Sequence, residues 1–218
     1  MDPLYIVSLC GTAIFAITGA LAAIEHRMDL FGVLAIAFLV GNGGGTIRSV
    51  ILNIPASWLQ NPAYIFASII PAFILFFLLF FKRETSKRKN FSKNMIKAMN
   101  HALLITDALG LGFFSIVGTQ IALAQAVNPL AAVIIGMISA VGGAIIRDVL
   151  CNQVPLILRH EIYATPALLG GALYIWLTGH LSPNLDICVV IIVVASIRLA
   201  SVYQNWTMPL IYQEPKNI

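Results

Sequence analysis

Twenty consecutive residues, from Pro62 to Phe81, carry no charge. As a helix such a run covers about 30 Å, the thickness of a bilayer core. Six more apolar runs, at about 4–24, 31–52, 101–124, 130–150, 163–180 and 186–206, give seven candidate spans. Between them they use nearly the whole chain, so little is left to build a soluble domain. The composition agrees: mean hydropathy is +0.90 and only 10% of residues are charged, against about 25% in soluble domains. The fold expected is an all-α polytopic membrane protein. Pro71 falls in the middle of the third run, where it can kink the helix, as membrane helices tolerate.

The basic residues set the orientation. Seven of the thirteen lie between Lys82 and Lys97 (Lys82, Arg83, Lys87, Arg88, Lys89, Lys93 and Lys97), and Glu84 is the one acid in 82–100. Basic loops stay in the cytoplasm, so the third span ends there, the N-terminus is outside and the C-terminus inside. Arg27, Arg159 and Lys216 also fall inside, giving ten basic residues inside and none in an outside loop; Arg48, Arg147 and Arg198 remain within spans. This distribution also argues against a nucleic-acid partner, which would need a folded basic face. Cys10, Cys151 and Cys188 form no CxxC pair and lie in or beside apolar runs, where a thiol acts as a small hydrophobe. No secretory leader is evident, because Asp2 precedes the first apolar run where a basic segment would stand.

The chain repeats itself at an offset of 99 residues. Gly11 pairs with Gly110, Phe15 with Phe114, Ile17 with Ile116 and Gly19 with Gly118. In the same register Gly43-Gly44 meets Gly142-Gly143, Ile47-Arg48 meets Ile146-Arg147, and Val50, Asn53 and Tyr64 meet Val149, Asn152 and Tyr163. Each copy holds three spans, so the second must enter the membrane from the opposite side. That is an inverted repeat, typical of transporters and some channels, with the functional path at the repeat interface. The divisions expected are 1–81 for the first repeat, 82–100 for the basic loop, 101–181 for the second repeat, and 182–218 for the seventh helix and tail.

The candidate path residues are Gly43, Gly44, Gly45, Arg48, Gly142, Gly143 and Arg147, with Asp107 and Asp148 beside them. Consecutive glycines weaken a helix, and matched breaks at Gly43–Gly45 and Gly142–Gly143 would place unpaired carbonyls on a polar path. The alternative is close helix packing through small residues. Arg48 and Arg147 each lie one turn beyond a Gly pair; a charge at that depth costs at least about 2.5 kcal/mol unless it faces protein or water. Each arginine could line a pore, bind lipid phosphate, gate, or sit in a buried ion pair. Asp107 and Asp148 pair with Ser8 and Ser49 in the repeat, so the second copy is richer in acid. Asp107 is expected in a structural ion pair and Arg198, with Tyr203 and Trp206, as an anchor at the membrane surface. Tyr163 and Pro166 mark the start of the sixth helix. His26, His101, His160 and His180 share no metal-ligand spacing. No acid pair or nucleophile–base spacing falls in the spans, which argues against an enzyme, and nothing calls for a cofactor.

The segments GTAIFAITGALAA, DLFGVLAIAFLVGNGGGTIR, DALGLGFFSIVGTQIAL and VGGAIIRDVL…IYATPALLGG resemble prokaryotic members of the trimeric intracellular cation (TRIC) channel family. The resemblance runs from about Gly11 to Ile197. It implies a three-plus-three-plus-one arrangement of helices in a prokaryotic cytoplasmic membrane. It also implies a homotrimer with one pore per protomer, between kinked second and fifth helices, passing K⁺ and Na⁺. Relatives usually carry Asp where this chain has Ser49, which leaves Arg48 freer to face water or lipid. A second reading, a secondary transporter for a small zwitterion such as glycine, remains open because an arginine can clasp a carboxylate.

Overall fold

The computed structural model describes residues 3–85, 93–158, 162–180 and 182–208. Lys87, Arg88, Lys89, Arg159, His160 and Lys216 lie outside the described residues. The elements are α1 (Pro3–Glu25), α2 (Leu30–Ile51), α3 (Ser57–Gln60), α4 (Ala63–Thr85), α5 (Lys93–Ala124), α6 (Pro129–Leu150), a 3₁₀ turn (Leu156–Leu158), α7 (Ala164–Leu177) and α8 (Pro183–Tyr203). Six helices are long and apolar enough to cross a membrane, and α7 is a shorter apolar helix. The all-α polytopic architecture is therefore the observed one.

Several boundaries differ from the expected ones. The basic stretch 82–100 is not all loop: α4 runs on to Thr85, and α5 begins at Lys93. With 32 residues, α5 extends about 48 Å, well beyond a bilayer core, so its lysine-bearing first turns project from the apolar region. The expected sixth span shrinks to the 14 residues of α7, about 21 Å. The backbone leaves helical geometry at Thr178, with ψ 119°, and turns through Gly179 at φ +90°. Pro71 lies inside α4 without interrupting it. On α4, Phe66, Ile70, Phe73, Ile74 and Leu78 are exposed at helical spacing, one outward apolar face suited to lipid or to another subunit.

The repeat is written into the backbone. Asp29 caps α2 by accepting from the Gly32 amide at 2.8 Å, and Asn128 caps α6 by accepting from the Ala131 amide at 3.0 Å. The turns before these caps each use one residue in the left-handed region, Arg27 at φ 60° and Ala126 at φ 57°. The turns that leave α2 and α6 do the same, with Asn53 at φ 53° and Asn152 at φ 55°. In them the Ile54 amide donates to Ser49 O at 2.9 Å and the Gln153 amide to Asp148 O at 2.8 Å. Every one of these pairs is separated by 99 positions.

Contacts between the repeats are reciprocal, as a twofold relation requires. Phe15 stacks on Phe114, its own repeat mate, with centroids 5.1 Å apart and planes inclined by 16°. A side chain at Gly11 would meet Phe114, and one at Gly110 would meet Phe15. The pseudo-twofold axis thus passes through the stacked rings, and α8 packs outside the duplication against α5 and α7.

Candidate functional site at the crossing of the two repeats

The helices α2 and α6 cross on this axis through their glycines. A Cβ on Gly44 would collide with the carbonyl oxygen of Ser139, and one on Gly143 with that of Val40. Both contacts are to backbone and are mates of each other. A Cβ on Gly142 would lie 3.1 Å from Gly44 Cα. The expected breaks are absent: α2 is continuous from Leu30 to Ile51 and α6 from Pro129 to Leu150. The glycines serve close approach instead, the small-residue packing that lipid-embedded helices favour. Gly45 differs from its neighbours, because its Cβ would meet only Arg48 Nη2, at 3.6 Å.

The two arginines lie on opposite sides of this crossing, each four residues on, or about 6 Å along its helix. Arg147 is enclosed by acids. Its Nη1 donates to Asp107 Oδ1 at 2.8 Å and its Nε to Asp148 Oδ1 at 2.9 Å. The Tyr163 hydroxyl donates to the same Asp107 oxygen at 3.0 Å, and the Leu156 amide to Asp148 Oδ2 at 3.0 Å. All four side chains are buried or nearly so, Arg147 being 3% and Asp107 1% exposed. Asp107 is thus in the expected ion pair, and Arg147 takes the ion-pair option among those open to it.

Arg198 departs from expectation. It is 2% exposed, its guanidinium lies 4.7 Å above the Tyr163 ring, and its Nη1 donates to Ile162 O at 3.3 Å. It is not a surface anchor but the outer wall of the Arg147 cluster, a cation–π contact removed from water. Two cations and two carboxylates therefore share this end of the protein, with Tyr163 between them.

Arg48 has no such company. It is 2% exposed, and no salt bridge reaches it among the described residues. Its Nη1 donates to Ser139 Oγ at 3.5 Å, while its Nε and the neighbouring Ser49 Oγ have no hydrogen-bond partner. The guanidinium borders a small recess lined also by Ser8, Thr12, Asn42, Ser57, Trp58 and Tyr64. Trp58 is fixed there by its Nε1 donating to Thr46 Oγ1 at 3.1 Å, and by edge contact with Phe38 at 5.4 Å. Hydroxyls and an amide on four helices thus share this recess with one buried cation.

The sequence reading missed the roles of Tyr64 and Tyr163, although the 99-residue offset pairs them, and it missed Trp58, Asn42 and Ser139 altogether. A buried arginine must have polar company, and these residues supply it. Among the described residues no group of histidine, cysteine and carboxylate side chains could hold a metal. His26 faces Gln153 across a loop at 3.1 Å and His180 stacks on Trp176. The three cysteines are unpaired.

The chain matches the family described as Glycine transporter twice, over 5–79 and over 104–179, the two segments being the two repeats. The UPF0126 inner membrane protein YadS of Escherichia coli (strain K12) is 35% identical over 94% of this chain and 94% of its own. Among solved structures, a TRIC trimeric intracellular cation channel orthologue from Rhodobacter sphaeroides is 31% identical. It superposes with a TM-score of 0.79, covering 94% of this chain and 100% of that one. A prokaryotic TRIC channel in 0.5 M KCl is 30% identical with a TM-score of 0.80, covering 94% and 98%. With the same fold over 94% of its length at about 30% identity, and a relative 35% identical over 94% of it, this chain belongs to the prokaryotic TRIC channel family.

Proposed function

We propose that the protein is a channel for monovalent cations, K⁺ and Na⁺, in a prokaryotic cytoplasmic membrane. Its N-terminus lies outside and its C-terminus inside, and it works as a homotrimer with one path per protomer. The observation that carries this reading is the end-to-end likeness to solved TRIC cation channels at about one-third identity. The path runs beside the α2–α6 crossing, from the Arg48 recess at one end to the Arg147 cluster at the other. In the present arrangement the backbones touch at Gly44 and Gly143, so conduction requires these two helices to separate.

The charges at the two ends divide the labour. At Arg147 the acids cancel the cation, so that end imposes little barrier on K⁺. At Arg48 the charge is uncompensated by carboxylate, and it opposes a cation in a low-dielectric surrounding. Arg48 is therefore the residue that tunes passage. The protein in planar bilayers under a KCl gradient should give discrete unitary currents reversing toward the K⁺ equilibrium potential. Saturable glycine counterflow without such currents would establish the second reading, a zwitterion transporter. That reading is favoured by the family's description as Glycine transporter and by the polar recess at Arg48.

A further inference from the structure

The two repeats surround Arg48 and Arg147 with matching backbone and different chemistry. Moving the Arg147 cluster by 99 positions carries Arg147 onto Arg48, Tyr163 onto Tyr64, Asp107 onto Ser8 and Asp148 onto Ser49. Arg48, Tyr64 and Ser8 line one recess, and the turns that leave α2 and α6 match through the left-handed Asn53 and Asn152. At Arg147 a single atom, Asp107 Oδ1, accepts from both Arg147 Nη1 and the Tyr163 hydroxyl, at 2.8 and 3.0 Å. Ser8 brings no negative atom to the corresponding place.

We propose that the recess is a halide site, in which one chloride ion sits against the Arg48 guanidinium and the Tyr64 hydroxyl as Asp107 Oδ1 sits against Arg147 and Tyr163. Charge calls for an anion there. Arg48 is 2% exposed, no salt bridge reaches it among the described residues, and its Nε and Ser49 Oγ have no hydrogen-bond partner. A buried cation without a counter-charge is costly, and so is a buried donor left unmade. Size restricts the anion to one atom. The recess has room for about one water, with a volume of about 10 Å³, too little for an oxyanion such as sulfate or phosphate. The lining suits a halide, because Ser8, Ser57 and Tyr64 offer hydroxyl donors and no acidic side chain borders the recess among the described residues. An occupied site neutralises Arg48 as the acids neutralise Arg147, and so lowers the barrier to K⁺; this consequence rests on the channel reading, whereas the binding does not.

Binding is tested first without current. Trp58 lines the recess, and the other tryptophans, Trp176 and Trp206, are exposed. In a Trp176→Phe/Trp206→Phe background, Trp58 emission is followed while sodium chloride replaces sodium gluconate at constant ionic strength. A saturable change is expected with chloride, and none when sodium sulfate takes its place. Ser8→Asp supplies the negative atom internally and should abolish the saturation. Tyr64→Phe, which keeps the ring, should weaken chloride binding about tenfold or more, the loss of one hydrogen bond to a charged group. No saturable change in the parent protein overturns the inference, as does an undiminished change in both variants or equal saturation with sulfate. Crystals soaked in sodium bromide should show an anomalous peak between Arg48 and Tyr64; a water alone at that place overturns the inference equally. In planar bilayers, exchanging chloride for gluconate on the side of the N-terminus at constant K⁺ should lower the unitary current. An unchanged current beside saturable binding overturns the consequence for passage, whereas the absence of any current overturns the channel reading and leaves the halide site standing.

Discussion

Replacing Asp107 by alanine is expected to lower the stability of the folded protein by about 3–5 kcal/mol. The carboxylate accepts from both Arg147 and Tyr163 while 1% exposed. Its loss leaves Arg147 with Asp148 alone and the Tyr163 hydroxyl without its acceptor. It also unbalances a buried group in which Arg147 and Arg198 face Asp107 and Asp148. Removing one partner of a buried pair costs far more than the intact pair contributes. The thermal unfolding midpoint in detergent, or resistance to a denaturing detergent, measures the loss. Asp107→Asn keeps an acceptor for Tyr163 and should fall between alanine and the parent. A midpoint unchanged in Asp107→Ala would mean that the acid does not hold this end of the fold together.

The second large effect belongs to Gly44. Alanine there places a methyl against the Ser139 carbonyl oxygen, and backbone cannot move aside as a flexible side chain can. Overpacking of this kind costs about 1–3 kcal/mol, and α2 and α6 must part to accept it. Gly45→Ala is the internal control, because its methyl would meet only Arg48 Nη2 at 3.6 Å. Its expected effect on stability is close to zero. A Gly44→Ala protein as stable as Gly45→Ala would remove the argument that the crossing is closed by backbone contact. If the path opens by separation of these helices, Gly44→Ala should also lengthen open times relative to Gly45→Ala in the same bilayer recordings.

Most of the architecture was legible in the sequence, for definite reasons. A span in lipid must be a long apolar helix, and the register Gly-Gly-x-x-Arg-x-Val-x-x-Asn, occurring twice, ties the two repeats together. What the glycines do was not legible. Consecutive glycines permit both a break and a close approach, and only the position of the facing backbone at Ser139 and Val40 decides between them. The long first turns of α5 were hidden because lysines signal a loop in a membrane protein although they are good helix formers.

The candidate site divides in the same way. Arg48, Arg147, Asp107 and Asp148 stand out because charge in a span is costly, and the serine counterparts of the two acids mark the asymmetry directly. Local sequence marks Tyr163 as a helix start and Arg198 as an anchor, because it cannot show that the guanidinium lies 4.7 Å above the Tyr163 ring. The role of Tyr64 follows only once Tyr163 is seen holding Asp107. The internal repeat is therefore more informative with coordinates than without: each half annotates the other.

In the proposed channel, cations pass beside the α2–α6 crossing, next to Arg48. Cysteine at Gly45 tests it most directly, since this position lines the recess and has room for a side chain. With Cys10, Cys151 and Cys188 replaced by serine or alanine, a Gly45→Cys protein is recorded in a planar bilayer while a positively charged thiosulfonate reagent is added. A stepwise fall in unitary K⁺ current is expected, up to one step for each modified path, with no response without the introduced cysteine. Complete modification, verified by mass, with unitary current unchanged would contradict it.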